Sequence, residues 1–299
     1  MMRIHTPSFV QSTQSIDFAQ NACFDRRPQR DGMSSFPLEA PKRDASVMTV
    51  GIAVLCENAK TAVVIADRLV GSGSLGIDTD CVKLTNPAPN ILAVFSGETH
   101  HAAIAIRKLG DLSTMKPESV AHKLRLSCAR IVAHDADAKL RAYGMRLNSL
   151  QKENLAQPAV NVIVNNVADA RMKGGFLLAA NDAHQVRLYV VNDQSAGCHN
   201  DPGFAAVGSG STFALPVLAA KRIHKGIDLE RAIYAAYEAK RISEEVGTVG
   251  RLTDMAIVSV GQPARFLPKE LIDQLEAMHQ RRLVLAKSDK NAIRRLIGS

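Results

Sequence analysis

The stretch TVGIAVLC (Thr49–Cys56), ENAK (Glu57–Lys60) and TAVVIAD (Thr61–Asp67) decides how the chain reads. The outer segments are apolar runs with β-branched residues, and Glu57-Asn58-Ala59 between them makes a turn, so together they predict a β-hairpin. Both runs are nearly continuous in apolar residues, which predicts a sheet covered on both faces. A further strand, ILAVFS (Ile91–Ser96), stops at Gly97.

Outward from this core the periodicity changes. Thr99 to Leu109 carries a helical stripe of Ala102, Ala103, Ile106 and Leu109. Pro117 to Tyr143 opens with Pro-Glu-Ser and repeats Val120, Leu124, Cys128 and Ile131, a second helix. Residues 144–158 are polar and read as loop. Strands resume at Val160–Val164, Gly175–Ala180 and Val186–Val191. Gly208-Ser209-Gly210 follows the short strand FAAV and opens a helix, Thr212–His224. Asp228 is a good N-cap for a helix to Glu245. Leu252–Val260 is the last strand, and Pro268–Lys287 a C-terminal helix. Helices grouped between groups of strands predict an α+β chain: two stacked sheets with helices outside, a four-layer αββα sandwich, rather than an alternating parallel fold. It occupies 49–270 as one domain. Residues 1–48 are rich in Ser, Gln, Asp, Arg and Pro without a period, and read as a disordered or removed leader. Residues 271–299 form a C-terminal helix and basic tail.

Composition narrows the classes. Apolar residues make up 46% of the 299, with no Trp, so the core is aliphatic. The 5 cysteines are scattered and odd in number, with no Cys-x-x-Cys pair. This reads as a reduced, cytoplasmic protein without a disulfide framework or cysteine zinc site. His100 and His101 are adjacent with no third ligand at a useful spacing, and read as surface or loop histidines, so no metal is expected. No apolar run approaches the roughly 20 residues that span a bilayer, and the N-terminus lacks a secretory pattern, so no membrane is expected. Much of the net charge of +8 comes from the C-terminal tail, where Arg281, Arg282, Lys287, Lys290, Arg294 and Arg295 face only Asp289. Without interleaved aromatics or a recognised motif, that tail is a solvated face or docking segment, and nucleic acid is not an expected partner.

The chemistry centres on Met48-Thr49. A threonine hydroxyl is a weak nucleophile without a base, but an N-terminal threonine brings its own α-amine. That amine titrates near 7.7–8.0 when unperturbed, and a nearby cation lowers its pKa. Such a site needs a lysine, a carboxylate to hold it, and backbone N–H groups for an oxyanion. Asp67 ends the second strand, Lys83 lies on the strand pair that follows, and Gly97 ends the strand Ile91–Ser96.

These residues and their order resemble the proteasome β-subunit and its bacterial relative, the HslV-type peptidase, both N-terminal-nucleophile hydrolases. The matching segments are Thr49-Val50-Gly51-Ile52, Ala66-Asp67-Arg68, Lys83, Ser96-Gly97, Val207-Gly208-Ser209-Gly210-Ser211 and Asp254-Met255-Ala256-Ile257-Val258. The first hairpin is slightly longer here, near Glu57 to Lys60. The resemblance covers Thr49 to Val260. It implies that Thr49 is the nucleophile and, through its amine, the base. Lys83 would tune the amine, Asp67 would pair with Lys83, the Gly97 N–H would bind the oxyanion, and Ser209 would help fix the amine and its water. The family has an Asp followed three residues later by a Ser near the end of its last long helix. With an insertion, Glu245 and Thr248 take those places, although Glu244 and Glu245 read equally as solvated helix-end charges. The family usually has Gly before the Thr, where this chain has Met48. A start at Met48, removed before the small Thr49, would expose the amine. The resemblance implies a threonine peptidase acting on peptide or unfolded protein, assembled as a homo-oligomeric ring and without a cofactor. It names no partner ATPase. The rival readings are a non-proteolytic ring subunit of the same fold, an amidase acting on a small amide, and a basic binding module using the tail.

Overall fold

A computed structural model describes residues 49–72, 75–78, 81–142, 144, 146, 165, 167, 171–172, 174–245 and 249–297. All of them fall within one compact unit, Asp44–Ser299. The expected leader 1–48, the strand Val160–Val164, most of the loop 144–158, and Thr248 lie outside the described residues.

The decisive hairpin forms. β1 (Gly51–Cys56) and β2 (Thr61–Asp67) pair antiparallel from Gly51↔Ala66 to Cys56↔Thr61. The connection Glu57–Ala59 is a short turn whose three residues all have positive φ, from 52° to 64°. The neighbouring loop holds it: Glu57 N–H donates to Ile227 O at 2.8 Å and Asn58 N–H to Lys225 O at 2.7 Å.

Next come β3 (Leu69–Ser72), β4 (Leu75–Asp78), β5 (Leu84–Ala88), β6 (Ile91–Gly97), β7 (Gly174–Asn181), β8 (Val186–Val191), β9 (Ala196–Cys198), β10 (Phe204–Val207), β11 (Thr253–Ser259) and β12 (Gln262–Phe266). They build one five-stranded sheet in the order β10-β1-β2-β11-β12, another in the order β5-β6-β7-β8-β9, and the β3-β4 hairpin. The described helices are α1 (Thr99–Arg107), α2 (Pro117–Arg141), α3 (Ser211–Ala220), α4 (Leu229–Glu244) and α5 (Lys269–Ile297). The protein is thus a mixed α/β chain, with strands and helices segregated along the sequence as expected.

Two-sided coverage explains the unbroken apolar runs. Side chains alternate across a strand. Ala53, Leu55 and Val64 join Leu92, Val94 and Leu177 of the other sheet in one cluster. Ile52, Val54, Val63 and Ile65 point the other way, into a cluster with Leu218 of α3, Ala235 and Tyr237 of α4 and Leu275 of α5. The opposite face of the second sheet (Ile91, Ala93, Phe95) packs with Val120, Leu124, Cys128 and Ile131 of α2. Each fully buried Val, Leu or Ile contributes roughly 1.5–3 kcal/mol, so a polar residue at any of these positions would be costly. The sheets approach closely at Gly51, where an added Cβ would lie 2.5 Å from Val94 Cγ1.

Several boundaries differ from the sequence reading. Lys83 lies just before β5 rather than on a strand. The short strands β3, β4, β9 and β12 carry too few apolar residues to signal themselves. Helix α5 continues to Ile297, through the expected basic tail. Ala102, Ile131 and Leu140 are buried, while Ala103 is exposed, so these apolar stripes are largely used inside the chain. Among the described residues no helix is long and apolar enough to cross a membrane.

Candidate active site

Thr49 is fixed by its neighbours in sequence and in space. It precedes β1 and is 2% exposed. The first rung beyond it is doubled: Asp67 N–H donates to Val50 O at 3.2 Å, and Val50 N–H donates to Asp67 Oδ1 at 3.1 Å. From the other side Gly210 N–H donates to Thr49 O at 3.2 Å. Gly208 comes closer still. Its φ is +84°, and a Cβ there would collide with the Thr49 carbonyl. Glycine is therefore required at 208 on two counts, backbone conformation and space.

Lys83 joins this corner to Asp67. Its Nζ donates to Thr49 Oγ1 at 2.8 Å and to Asp67 Oδ1 and Oδ2 at 3.1 and 3.2 Å. The two side chains are 2% and 0% exposed, so water does little to screen the pair. Asp67 also accepts from Leu69 N–H and Gly250 N–H, each at 3.1 Å. Burial outweighs the pull of Asp67 and holds the Lys83 ammonium below its ordinary pKa. A lysine in that state, in contact with a hydroxyl oxygen, lowers the cost of drawing a proton from it and stabilises the oxygen as it gains charge.

The remaining expected residues are placed unevenly. Ser209 lies between the two glycines that touch Thr49, and its buried Oγ has no hydrogen-bond partner among the described residues. Gly97 ends β6 with φ +100°, paired with Gly174, three residues beyond the Val94 that meets Gly51. Lys83 abuts the same strand, since Phe95 N–H donates to Lys83 O at 3.3 Å. Glu245 is exposed at the C-cap of α4, and among the described residues no hydrogen bond links its side chain to Thr49, Asp67 or Lys83. Ser243, which sequence reasoning passed over, is the buried hydroxyl from that helix end. Its Oγ lies 3.1 Å from Gly210 O and 2.9 Å from Ala239 O.

A second group missed in the sequence supports Asp67 from behind. Lys240 is 0% exposed. Its Nζ donates to the carboxylate of Glu244 and to the carbonyls of Arg251 (2.9 Å) and Leu252 (3.3 Å). Arg241 holds Glu244 as well and reaches Glu276 on α5, where the Tyr237 hydroxyl donates at 2.6 Å. Burial lowers the Lys240 pKa and raises that of Glu244. The segment that supplies Gly250 N–H to Asp67 is thus strapped by a buried lysine two residues on. The signal was a lysine inside the apolar stripe AAYEAK, where a solvated face would not place one. A cleft of about 560 Å³ opens beyond this network, lined by Arg68, Arg251, Asp254 and Glu276 among others, and neither Thr49, Asp67 nor Lys83 lines it.

The chain matches no family model, and a comparison with curated proteins found no match.

Proposed function

We propose that the chain is a threonine-type endopeptidase resembling the proteasome β-subunit, an N-terminal-nucleophile hydrolase in which Thr49 becomes the first residue. The observation that carries this reading is the buried contact of Lys83 Nζ with both Thr49 Oγ1 and Asp67. A structural ion pair alone gives no reason for the lysine to be shared with a buried threonine hydroxyl at a strand start. The face-to-face packing of the sheets and the helices on their outer faces support the αββα sandwich of that class.

In this reading, removal of the residues before Thr49 frees its α-amine. Thr49 Oγ1 attacks a peptide carbonyl carbon, and its proton passes to the amine, directly or through one water. The carbonyl electron pair moves to oxygen and is received by the Gly97 N–H. The C–N bond then breaks, the leaving amine takes the proton, and an ester to Thr49 remains. Water attacks that ester under the same base and restores the hydroxyl. Lys83 keeps the amine largely unprotonated near neutral pH. Asp67 holds Lys83, and the partnerless Ser209 hydroxyl is the group assigned to the amine and its water. The substrate is peptide or unfolded protein, and a homo-oligomeric ring would shield other proteins from the site.

The test is hydrolysis of an unstructured protein such as casein by chains beginning at Thr49, with N-terminal sequencing and light scattering on the same samples. Activity lost in Thr49→Ala, in a ring-sized species whose first residue is Thr49, is the expected result. Equal hydrolysis by Thr49→Ala, or by a chain that retains residues 1–48, would overturn the reading.

A further inference from the structure

The corner that follows β6 holds a cluster that the Thr49 site does not use. Glu98 occupies the N-cap position of α1 without a side-chain capping bond, and His100 and His101 lie in its first turn. The ligand atoms of these three side chains lie within 4.8 Å of one another. Adjacent histidines with no third ligand at a regular spacing gave no metal signal in the sequence. Once His100 and His101 are placed in a helix, Glu98, three residues before His101, is the third ligand that reading overlooked, and the fold adds Asp135 from α2.

His101 is the informative residue. It is 8% exposed, and its two ring nitrogens face two carboxylates. Nε2 stands 3.1 Å from Asp135 Oδ2, and Nδ1 stands 3.2 Å from Glu98 Oε2. Yet among the described residues Nδ1 makes no hydrogen bond. If the ring proton is on Nε2, the side of Asp135, then Nδ1 carries a lone pair and faces a carboxylate oxygen that also offers only lone pairs. Two such acceptors in contact, one of them buried, need a positive centre between them. Their separation suits a metal ion. Ligand atoms each roughly 2.1 Å from a tetrahedral ion lie about 3.4 Å from one another. A carboxylate beside the far nitrogen, as Asp135 stands beside Nε2, is also found at metal-bound histidines, where it fixes the tautomer and raises ligand basicity.

We propose that Glu98, His100 and His101 bind a divalent transition-metal ion of the zinc class, with Asp135 orienting His101. Two imidazoles and one carboxylate favour zinc, cobalt or nickel over magnesium and calcium, which prefer all-oxygen shells. Three protein ligands leave a fourth position for water. Glu98 directly follows Gly97, so the ion ties the corner bearing Gly97 to α2 through His101 and Asp135. The assignment stands on its own geometry, whatever chemistry Thr49 performs.

Cobalt(II) titration of the metal-depleted full chain tests it, read by visible ligand-field absorption, with zinc competition followed by calorimetry. The expected result is one high-affinity ion per chain, without a thiolate-to-metal charge-transfer band, displaced by zinc. Exposed His100→Ala leaves the fold intact by circular dichroism and weakens binding at least tenfold, as does His101→Gln. Asp135→Asn, outside the ligand set, weakens it by about 10- to 100-fold. Binding unchanged in the His100→Ala, His101→Gln double variant would overturn the site, as would a thiolate band. Failure to take up cobalt would overturn it equally, and would leave a proton shared by His101 with Glu98 and Asp135 as what joins them.

Discussion

Replacing Lys83 by methionine isolates its charge from its bulk. Methionine keeps nearly the same stem volume, so the change removes the ammonium and leaves little cavity. Loss of one partner from a buried ion pair costs roughly 3–5 kcal/mol, because the other charge stays buried. Asp67 is fully buried but retains the N–H groups of Val50, Leu69 and Gly250. That residual solvation places Lys83→Met at the lower end, about 3 kcal/mol. Lys83→Ala deletes three methylenes as well, and at about 0.8 kcal/mol each adds roughly 2 kcal/mol. Asp67→Asn should cost about 4–5 kcal/mol, since it strands the lysine and turns an amide N–H₂ toward backbone donors. Guanidinium denaturation of Lys83→Ala and of the four chains of a double-mutant cycle measures these values. The Lys83→Met, Asp67→Asn double variant should be less destabilised than the sum, with a coupling of about 1–3 kcal/mol. Under the proposed function, Lys83→Met also lowers turnover by about 100-fold or more while the chain stays folded. A stability loss below about 1 kcal/mol with additive double-mutant behaviour would mean that the pair does not form as described.

Gly208→Ala places a Cβ against the Thr49 carbonyl at positive φ, and is expected to lower stability by at least about 2 kcal/mol in thermal unfolding. An alanine variant that melts with the wild type would refute the close approach. Lys240→Met should cost about 3 kcal/mol and speed proteolytic cleavage near Arg251, because two carbonyls and part of the Glu244 carboxylate lose their donor. Unchanged cleavage there would show that the strap does not depend on Lys240. Lys83 has its folded-state pKa below 10.5, so between that lowered value and 10.5 the unfolded chain binds the extra proton. Stability of the wild type relative to Lys83→Met should therefore rise with pH through that window. Denaturation midpoints that converge as pH increases would contradict the sign.

What could be read from the sequence follows from what each contact uses. β1, β2, β6, β7 and β11 announce themselves as apolar runs because both their faces are buried. Thr49, Asp67 and Lys83, which the structure brings into contact, could be singled out because their contacts are made by particular side chains. The Gly250 N–H was invisible, since any residue but proline offers that donor and its acceptor lies 183 positions away. Ser243 looked like an ordinary helix residue until the helix face it occupies was known, and Lys240 was signalled only by its place in the apolar stripe of α4. Asp135 approaches His101 only because α1 packs on α2, whereas Glu98 reaches it locally, three residues before it at the helix start. At the end of α4, the carboxylate nominated there, Glu245, is exposed, while Glu244 beside it is drawn into the Lys240 network.

The donors on Asp67 also set a timetable for the chain's own synthesis. Val50, Leu69 and Lys83 leave the ribosome early, but Gly250 follows Asp67 by 183 residues. At about 5–20 residues per second, the carboxylate waits roughly 10–40 seconds for its last donor. The strap from Lys240 and the Gly210 contact to Thr49 arrive in the same late interval. A nascent chain therefore holds its threonine and lysine in an unfinished setting until nearly all of it has emerged. Whatever Thr49 does, the corner around it is completed late, and a truncated product ending before Gly250 never acquires that donor.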